Sequence, residues 1–347
     1  MEIKEIQSQD FITGLGFKDS ADFIFSEIKE KDVQARSFKE EFIDLAYLGN
    51  KDDKTTLVRK RSLNIENNQT IFTHSDLLED LFNQIKKIEG IENLKVVTHM
   101  SDKLFSNKTY KKIPKQVSKV YSVNLDYKGN KVSSIPLGLA NEFSEKNLHK
   151  NDFTSLSINE YFKNEVGLYL NFNPNTNYKI RHRLYSKFDS YNWVKIGNHN
   201  LSKDRYKEDL KNSTFVLCPG GNGPDTHRVW ETLYSGSIPV VTKSITLNAF
   251  HDLPILFVDS FEDITYEKLE NYLLNLNEEN LSLKKLSLMW WRSEFLSKND
   301  QKAEKFYLET SNQELNNLKR KLLFFKLINK IKKSFNTLLR KSIKKFL

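Results

Sequence analysis

Between Ser213 and Lys243 the chain reads STFVLCPGGNGPDTHRVWETLYSGSIPVVTK, in which a short apolar run gives way to Pro219, Gly220, Gly221, Asn222 and Gly223. Glycines let backbone N–H groups come close to an anion, and a helix starting just beyond such a loop aims the positive end of its dipole at the same place. The spacing predicts Asp225 as the N-cap residue, with Thr226 and His227 completing a polar cluster. Three residues into the helix, Arg228 offers a rigid fork of donors suited to a diphosphate. Glu231 follows at i+3 on the same helical face, where its carboxylate can accept from ribose or sugar hydroxyls. Gly236 is placed to end the helix, and Pro239 opens the next strand. Thr226 stands where the third glycine of G-x-G-x-x-G would fall, and no G-x-x-x-x-G-K-[ST] occurs. Both absences argue against a dehydrogenase and a P-loop ATPase.

A loop of this kind needs a strand to deliver it and a helix to receive it, and the pattern supplies such pairs twice. In the first half, helical spacing over Asp76–Ile88 is followed by strand signals at Leu94–Thr98, Lys119–Asn124 and Val132–Leu137. The alternation restarts near Asn164. Strands are expected at Val166–Phe172, Asn192–Ile196, Thr214–Cys218, Ile238–Thr242 and Ile255–Val258. Helices are expected at Tyr178–Phe188, Lys203–Leu210, Asp225–Ser235, Tyr266–Leu276 and Leu281–Phe295. Strands alternating with helices predict an α/β chain of two Rossmann-like parallel-sheet domains, 1–155 and 156–300, followed by C-terminal helices over 301–347. In the second domain, ligands belong beyond the carboxyl ends of the strands. There Asn173 and Arg181, from the second βα unit, are expected to reach the same diphosphate as Arg228. Trp290 and Trp291 read as core or interdomain packing.

The 347 residues carry 54 Lys and Arg against 45 Asp and Glu, a net charge of +9. Leu318–Leu347 alone holds eleven of the positive residues and no acid, so the first 317 residues come to about −2, the whole chain's +9 less eleven. Within that tail Phe324, Ile328, Ile331, Phe335, Leu338, Leu339 and Phe346 fall at helical spacing. A basic amphipathic helix of this type is expected to lie on an anionic membrane surface, and its apolar runs are too short to span one. No nucleic-acid-binding motif accompanies the charge, so nucleic acid is not an expected partner. A single cysteine, Cys218, excludes an intramolecular disulfide and points to a reducing compartment. With no apolar leader at the N-terminus, the expected location is cytoplasmic, peripheral on the inner face of the cytoplasmic membrane.

The run CPGGNGPDTHRVWETLYSGSIPVV resembles the donor-binding signature of exostosin-type glycosyltransferases and their bacterial surface-polysaccharide relatives. The matching positions are Cys218, Pro219, Arg228, Glu231, Gly236, Pro239 and Val240. VVTHMSD, Val96 to Asp102, and IPLGLANEF, Ile135 to Phe143, are similar to two further segments of such enzymes. The resemblance implies a GT-B fold, two facing domains with the donor held by the second. It also implies transfer of a sugar from a UDP- or GDP-linked donor to a glycan or lipid-linked acceptor in surface-polysaccharide or lipopolysaccharide synthesis. The chain contains no Asp-x-Asp, so no metal cofactor is expected. Pro239 stands eight residues after Glu231, where many retaining GT-B enzymes have a second Glu, which leans towards inversion. Inversion needs a general base on the acceptor side, and Asp102 and His99 are the candidates. His74 and Asp76, in THSDLL, read instead as loop and cap residues, with Ser75 or Asp76 as N-cap. Two other readings remain open: a non-catalytic nucleotide-sugar or glycan-binding protein of the same fold, and a membrane-associated scaffold.

Overall fold

The computed structural model describes residues 3–30, 42–46, 55–198, 200–296, 304–324, 327–328 and 331. Ten strands form two parallel sheets. The first contains β1 (Phe23–Ile24), β2 (Thr70–His74), β3 (Leu94–His99), β4 (Val117–Ser122) and β5 (Val132–Ser134), in the order β5-β4-β3-β2-β1. The second contains β6 (Leu168–Leu170), β7 (Val194–Ile196), β8 (Phe215–Leu217), β9 (Ile238–Thr242) and β10 (Leu256–Val258), in the order β7-β6-β8-β9-β10. The helices are α1 (Gly14–Lys18), α2 (Leu78–Ile85), α3 (Asn107–Tyr110), α4 (Tyr178–Phe188), α5 (Lys203–Lys211), α6 (His227–Tyr234), α7 (Tyr266–Leu274) and α8 (Leu288–Phe295), with a further helix over 312–324.

Parallel strands covered on both faces read as apolar runs rather than alternations, and the first sheet shows why. Ile71, Val96 and Val120 join one buried cluster with Leu81 and Phe82 of α2. Phe72, Val97 and Tyr121 join the other, which continues through Phe17 and Trp291 into the second sheet. Trp291 is buried against Phe17, Tyr121 and Phe295, so α8 packs on the N-terminal half. Lys95 Nζ caps its last turn by donating to the carbonyls of Glu294, Phe295 and Leu296.

Several expectations shift. The helix expected over Leu281–Phe295 is a 3-10 turn at Leu283–Leu286 and then α8, whose N-cap Ser287 accepts from Trp290 N. β2, unread in the sequence, is wholly buried and is the neighbour of β3. The segment after it is capped by His74 Nδ1, which accepts from Asp76 N, rather than by Ser75 or Asp76. The stretch expected to hold only helices after residue 301 contains a strand, Lys305–Glu309, paired antiparallel with Ser62–Glu66. Leu315, Leu318 and Leu322 of the following helix pack on the cluster around α2. An amphipathic helix to Leu347 was expected, but its part beyond 331 lies outside the described residues. No helix among the described residues is long and apolar enough to cross a membrane.

Candidate active site

The order β7-β6-β8 reverses the chain's direction of travel between β6 and β8, which opens a crevice at their carboxyl ends. The first sheet runs in sequence order and has no such reversal. The loop that leaves β8 carries the three glycines, and the loop that leaves β6 carries Asn173 and leads into α4.

α2 and α3 also lack a side-chain cap, but among the helices after residue 156 capping singles out the same place. Ser202, Thr265 and Ser287 cap α5, α7 and α8 with side-chain oxygens. The N-caps of α4 and α6, Asn177 and Thr226, make no such bond. Both helices start at the crevice, so their first amides are left for another acceptor. The helix after the glycine loop starts at His227 with Thr226 as N-cap, not at Asp225 as the sequence suggested. Thr226 Oγ1 is buried without a hydrogen-bond partner.

Two guanidinium groups lie beneath the loop. Arg181 is only 5% exposed. Its Nη2 donates to Pro219 O at 2.9 Å, its Nε to Gly220 O and its Nη1 to Asn173 O, both at 3.3 Å, so it ties the two loops together from below. Burial, with the neighbouring Arg228, pulls its pKa down to about 10. Arg228 lies over the Tyr206 ring at 6.0 Å, and its Nε is buried with no partner. Burial works against its charge, but Tyr206 and Glu231 outweigh that and raise its pKa. Neither arginine is ion-paired among the described residues, and the side-chain hydrogen bonds of Arg181 go to backbone carbonyls. An unfilled buried donor and two guanidinium groups outside any ion pair among the described residues, close to a glycine loop, are the chemistry that suits an anion.

The glycines work by close packing. None of Gly220, Gly221 and Gly223 has positive φ. A Cβ on Gly221 would sit 3.3 Å from Arg181 Nη2, and one on Gly223 only 2.6 Å from Asn124 Oδ1. Asn124 follows β4, so at this point the two halves touch. Asn222 Nδ2 makes a second contact, donating to Asp102 Oδ2 at 2.8 Å.

The remaining candidates divide between the crevice and its supports. Asp102 and Asn222 are exposed at the junction of the two loops, and Asn173 is exposed with its Oδ1 accepting from Asn175 N. Glu231 is 2% exposed. Its Oε2 accepts from Tyr206 Oη at 2.9 Å, and its Oε1 from Leu148 N at 3.3 Å and Asn147 Nδ2 at 3.4 Å, so both oxygens are occupied within the protein. Asp225 is buried; Leu137 N and Trp230 Nε1 donate to its two oxygens, and burial pushes its carboxyl up to about 7. His227 Nδ1 donates to Gly138 O at 2.8 Å. His99, also buried, accepts from Met100 N at Nδ1 and donates from Nε2 to Pro136 O. A carbonyl can only accept and an amide only donate, so this tautomer is fixed and no ring nitrogen is free to take a proton. Burial drives its pKa down to about 3.

Asp225, His227 and His99 thus hold one strap, Pro136–Gly138, between the two sheets. Gly138 has φ of 68°, and a Cβ there would meet Ile12 O at 2.4 Å. Sequence reasoning missed Asn124 and Tyr206. Asn124 carried a faint signal, since its φ of 53° is a conformation asparagine tolerates well; Tyr206, on the face of a polar helix, carried none.

Among curated proteins none matches the chain. Residues 138–253, about a third of it, match the family model of the Exostosin GT47 domain. That span starts in the strap and includes both arginines, the glycine loop and α6, while His99 and Asp102 lie outside it. Over this segment the chain carries a domain of the exostosin type, the glycosyltransferase family that its donor signature resembles.

Proposed function

We propose that the chain is a GT-B glycosyltransferase, its donor domain spanning 156–300 and its acceptor side 1–155. It would transfer a sugar from a UDP- or GDP-linked donor to a glycan or lipid-linked acceptor in bacterial surface-polysaccharide or lipopolysaccharide synthesis. The observation that carries this reading is the pair of guanidinium groups of Arg181 and Arg228, neither in an ion pair among the described residues and the second with a buried, unpartnered Nε, set where two helix N-termini lack a side-chain cap. A diphosphate would add negative charge beside both groups and an acceptor for Arg228 Nε. As the sugar leaves, negative charge grows on the diphosphate, and donors already oriented there stabilise that charge without reorganisation. Catalysis by this route needs no metal cofactor. Arg228 takes the diphosphate directly, with the amides of Gly220 and Gly223, while the Gly221 amide, donating to Gly223 O, and Arg181 hold the loop in shape. Asn173, Asn222 and Thr226 border the bound donor.

Asp102 is the general base of this proposal. It is exposed at the junction of the two halves, and Asn222 bridges it to the donor loop. A carboxylate there can take the acceptor's proton while the hydroxyl attacks the anomeric carbon opposite the diphosphate, which gives inversion. His99 is a positioning residue, holding Met100 and Pro136 on either side of that loop. Glu231, Asp225 and His227 shape the donor side through the residues they bind. The C-terminal basic helix would hold the enzyme on the inner face of the cytoplasmic membrane. The test is thermal unfolding against UDP, GDP, CMP and their sugars, followed by turnover of whichever donor stabilises. A diphosphate nucleotide should raise the melting midpoint, and Arg228→Ala should abolish both the shift and the turnover. Stabilisation without hydrolysis or transfer would instead mark a non-catalytic binding protein.

A further inference from the structure

Eight lysines and a single acid, Asp126, occupy residues 103–131. Three of these lysines are engaged: Lys112 with Glu79 at 2.6 Å, Lys119 with Asn130 O and Lys131 with Val117 O. Lys103, Lys108, Lys111 and Lys115 are exposed and make no ion pair among the described residues.

Their place relative to the C-terminal helix is informative. Tyr110 and Ile113, from the lysine-rich segment, and Leu318 and Leu322, from the C-terminal helix, pack on the same cluster as α2. Lys112 reaches α2 at Glu79, while Lys87, just past its end, pairs with Glu314 of the C-terminal helix. Lys103, Lys112 and Lys321 all act on the Glu79 carboxylate, so the charges of both segments converge there. Lys319, Arg320 and Lys321 continue the basic surface, and beside them Leu323, Leu327 and Ile331 are 58%, 56% and 60% exposed. An apolar stripe edged by cations, with a second bank of cations beside it, complements an anionic bilayer: the stripe enters the acyl boundary and the lysines meet the headgroups.

We propose that this whole side of the N-terminal half, the lysine-rich segment together with the C-terminal helix, is one docking face for an anionic lipid surface. Lys103 directly follows Asp102, so docking brings the mouth of the crevice to the membrane, where a lipid-linked acceptor resides. The inference rests on the transferase reading for its purpose but not for its measurement.

The test compares the full chain with the Lys108→Ala/Lys111→Ala/Lys115→Ala variant, which leaves the C-terminal helix untouched. Partitioning is measured on phosphatidylcholine vesicles with and without phosphatidylglycerol. The parent should bind only the phosphatidylglycerol vesicles and leave them at high salt. At about fivefold per lysine near an anionic surface, the variant should bind on the order of a hundredfold more weakly. Its circular dichroism and its stabilisation by nucleotide should match the parent's. Equal partitioning of variant and parent would overturn the proposal. So would a parent that ignores anionic vesicles, or one that binds soluble polyanions but no vesicles. If the partitioning falls as expected while no nucleotide stabilises either protein, the docking face stands and the transferase reading fails.

Discussion

Replacing Gly223 by Ala tests the point at which the two halves meet. The added Cβ would lie 2.6 Å from Asn124 Oδ1, 3.0 Å from its Cγ and 3.2 Å from its Nδ2. Ordinary contact begins at 3.4 Å, so the closest approach is roughly 0.8 Å too near, on the steep side of the van der Waals curve. Asn124 has little room to yield: it is buried, its φ is 53°, and its Nδ2 donates to Ser101 O. The φ of Gly223 is not positive, so alanine adds no backbone strain and the perturbation is purely steric. Overpacking a tight contact costs about 1–3 kcal/mol. Asn124→Gly removes the obstacle and is at ease with positive φ. The double variant should therefore be more stable than the sum of the single changes by about 1–2 kcal/mol. Urea unfolding of the parent, both single variants and the double variant gives that coupling directly. A stable Gly223→Ala chain, or strictly additive changes, would refute the argument.

Arg228→Ala should weaken nucleoside diphosphate binding by about 3 kcal/mol, the scale of two hydrogen bonds to a charged group. It should leave the fold intact but lower the unliganded melting point slightly, because Tyr206 and Glu231 raise the pKa of Arg228 and the folded chain therefore favours its charge; calorimetry and titration check the two halves of this statement. His99 is held neutral with its pKa lowered to about 3, so its contribution to stability is complete above about pH 6.5 and is lost as the pH falls from there towards 3. His99→Asn should flatten that part of a stability-against-pH curve. Asp225 has the opposite sign: its pKa is raised to about 7, so it costs stability as the pH rises from about 4 to 7 and adds no further slope above that. Asp225→Asn should remove that slope, and it should cost about 1–3 kcal/mol because an amide nitrogen cannot accept from Leu137 N or Trp230 Nε1. Cys218, buried beside Thr232 with its thiol pushed up to about 12, should resist alkylation until the chain unfolds, which mass spectrometry of iodoacetamide-treated protein would follow.

The bounds of α4 and β9 were legible because the signals for them are local. Phe188 ends a run at helical spacing, and Gly236 with Pro239 punctuates the turn into Ile238–Thr242; Gly236 indeed takes φ of 67° past the end of α6. The start of α6 was misjudged for the opposite reason. Asp225 looks like a cap by its neighbours, but its oxygens are claimed by Leu137, 88 residues away, and by Trp230. β2 escaped notice because Thr-Ile-Phe-Thr-His has neither an apolar run nor a clean alternation, and only its burial on both faces makes it a strand. In the site, residue types announced an anion loop, but not which side chains lie open to the crevice. Glu231 and His99 carry suitable chemistry, yet their polar atoms are taken by Tyr206, Leu148, Met100 and Pro136, partners that no spacing rule connects to them.

The pairing of Lys305–Glu309 with Ser62–Glu66 bears on the order in which the molecule is built during synthesis. Buried Arg59 donates to Asp80 and to Thr310, and Leu315 is packed against the cluster around α2, so the N-terminal half completes its interior only with residues made near the end of translation. The strands β6–β10 need nothing from so far downstream to pair with one another. On the ribosome the usual N-terminal-first sequence is therefore inverted: the second sheet can form while Ser62–Glu66 still presents an open edge. That edge is a site for mispairing until the last strand arrives, and stalling or proteolysis upstream of residue 305 should yield aggregates rather than a smaller soluble protein.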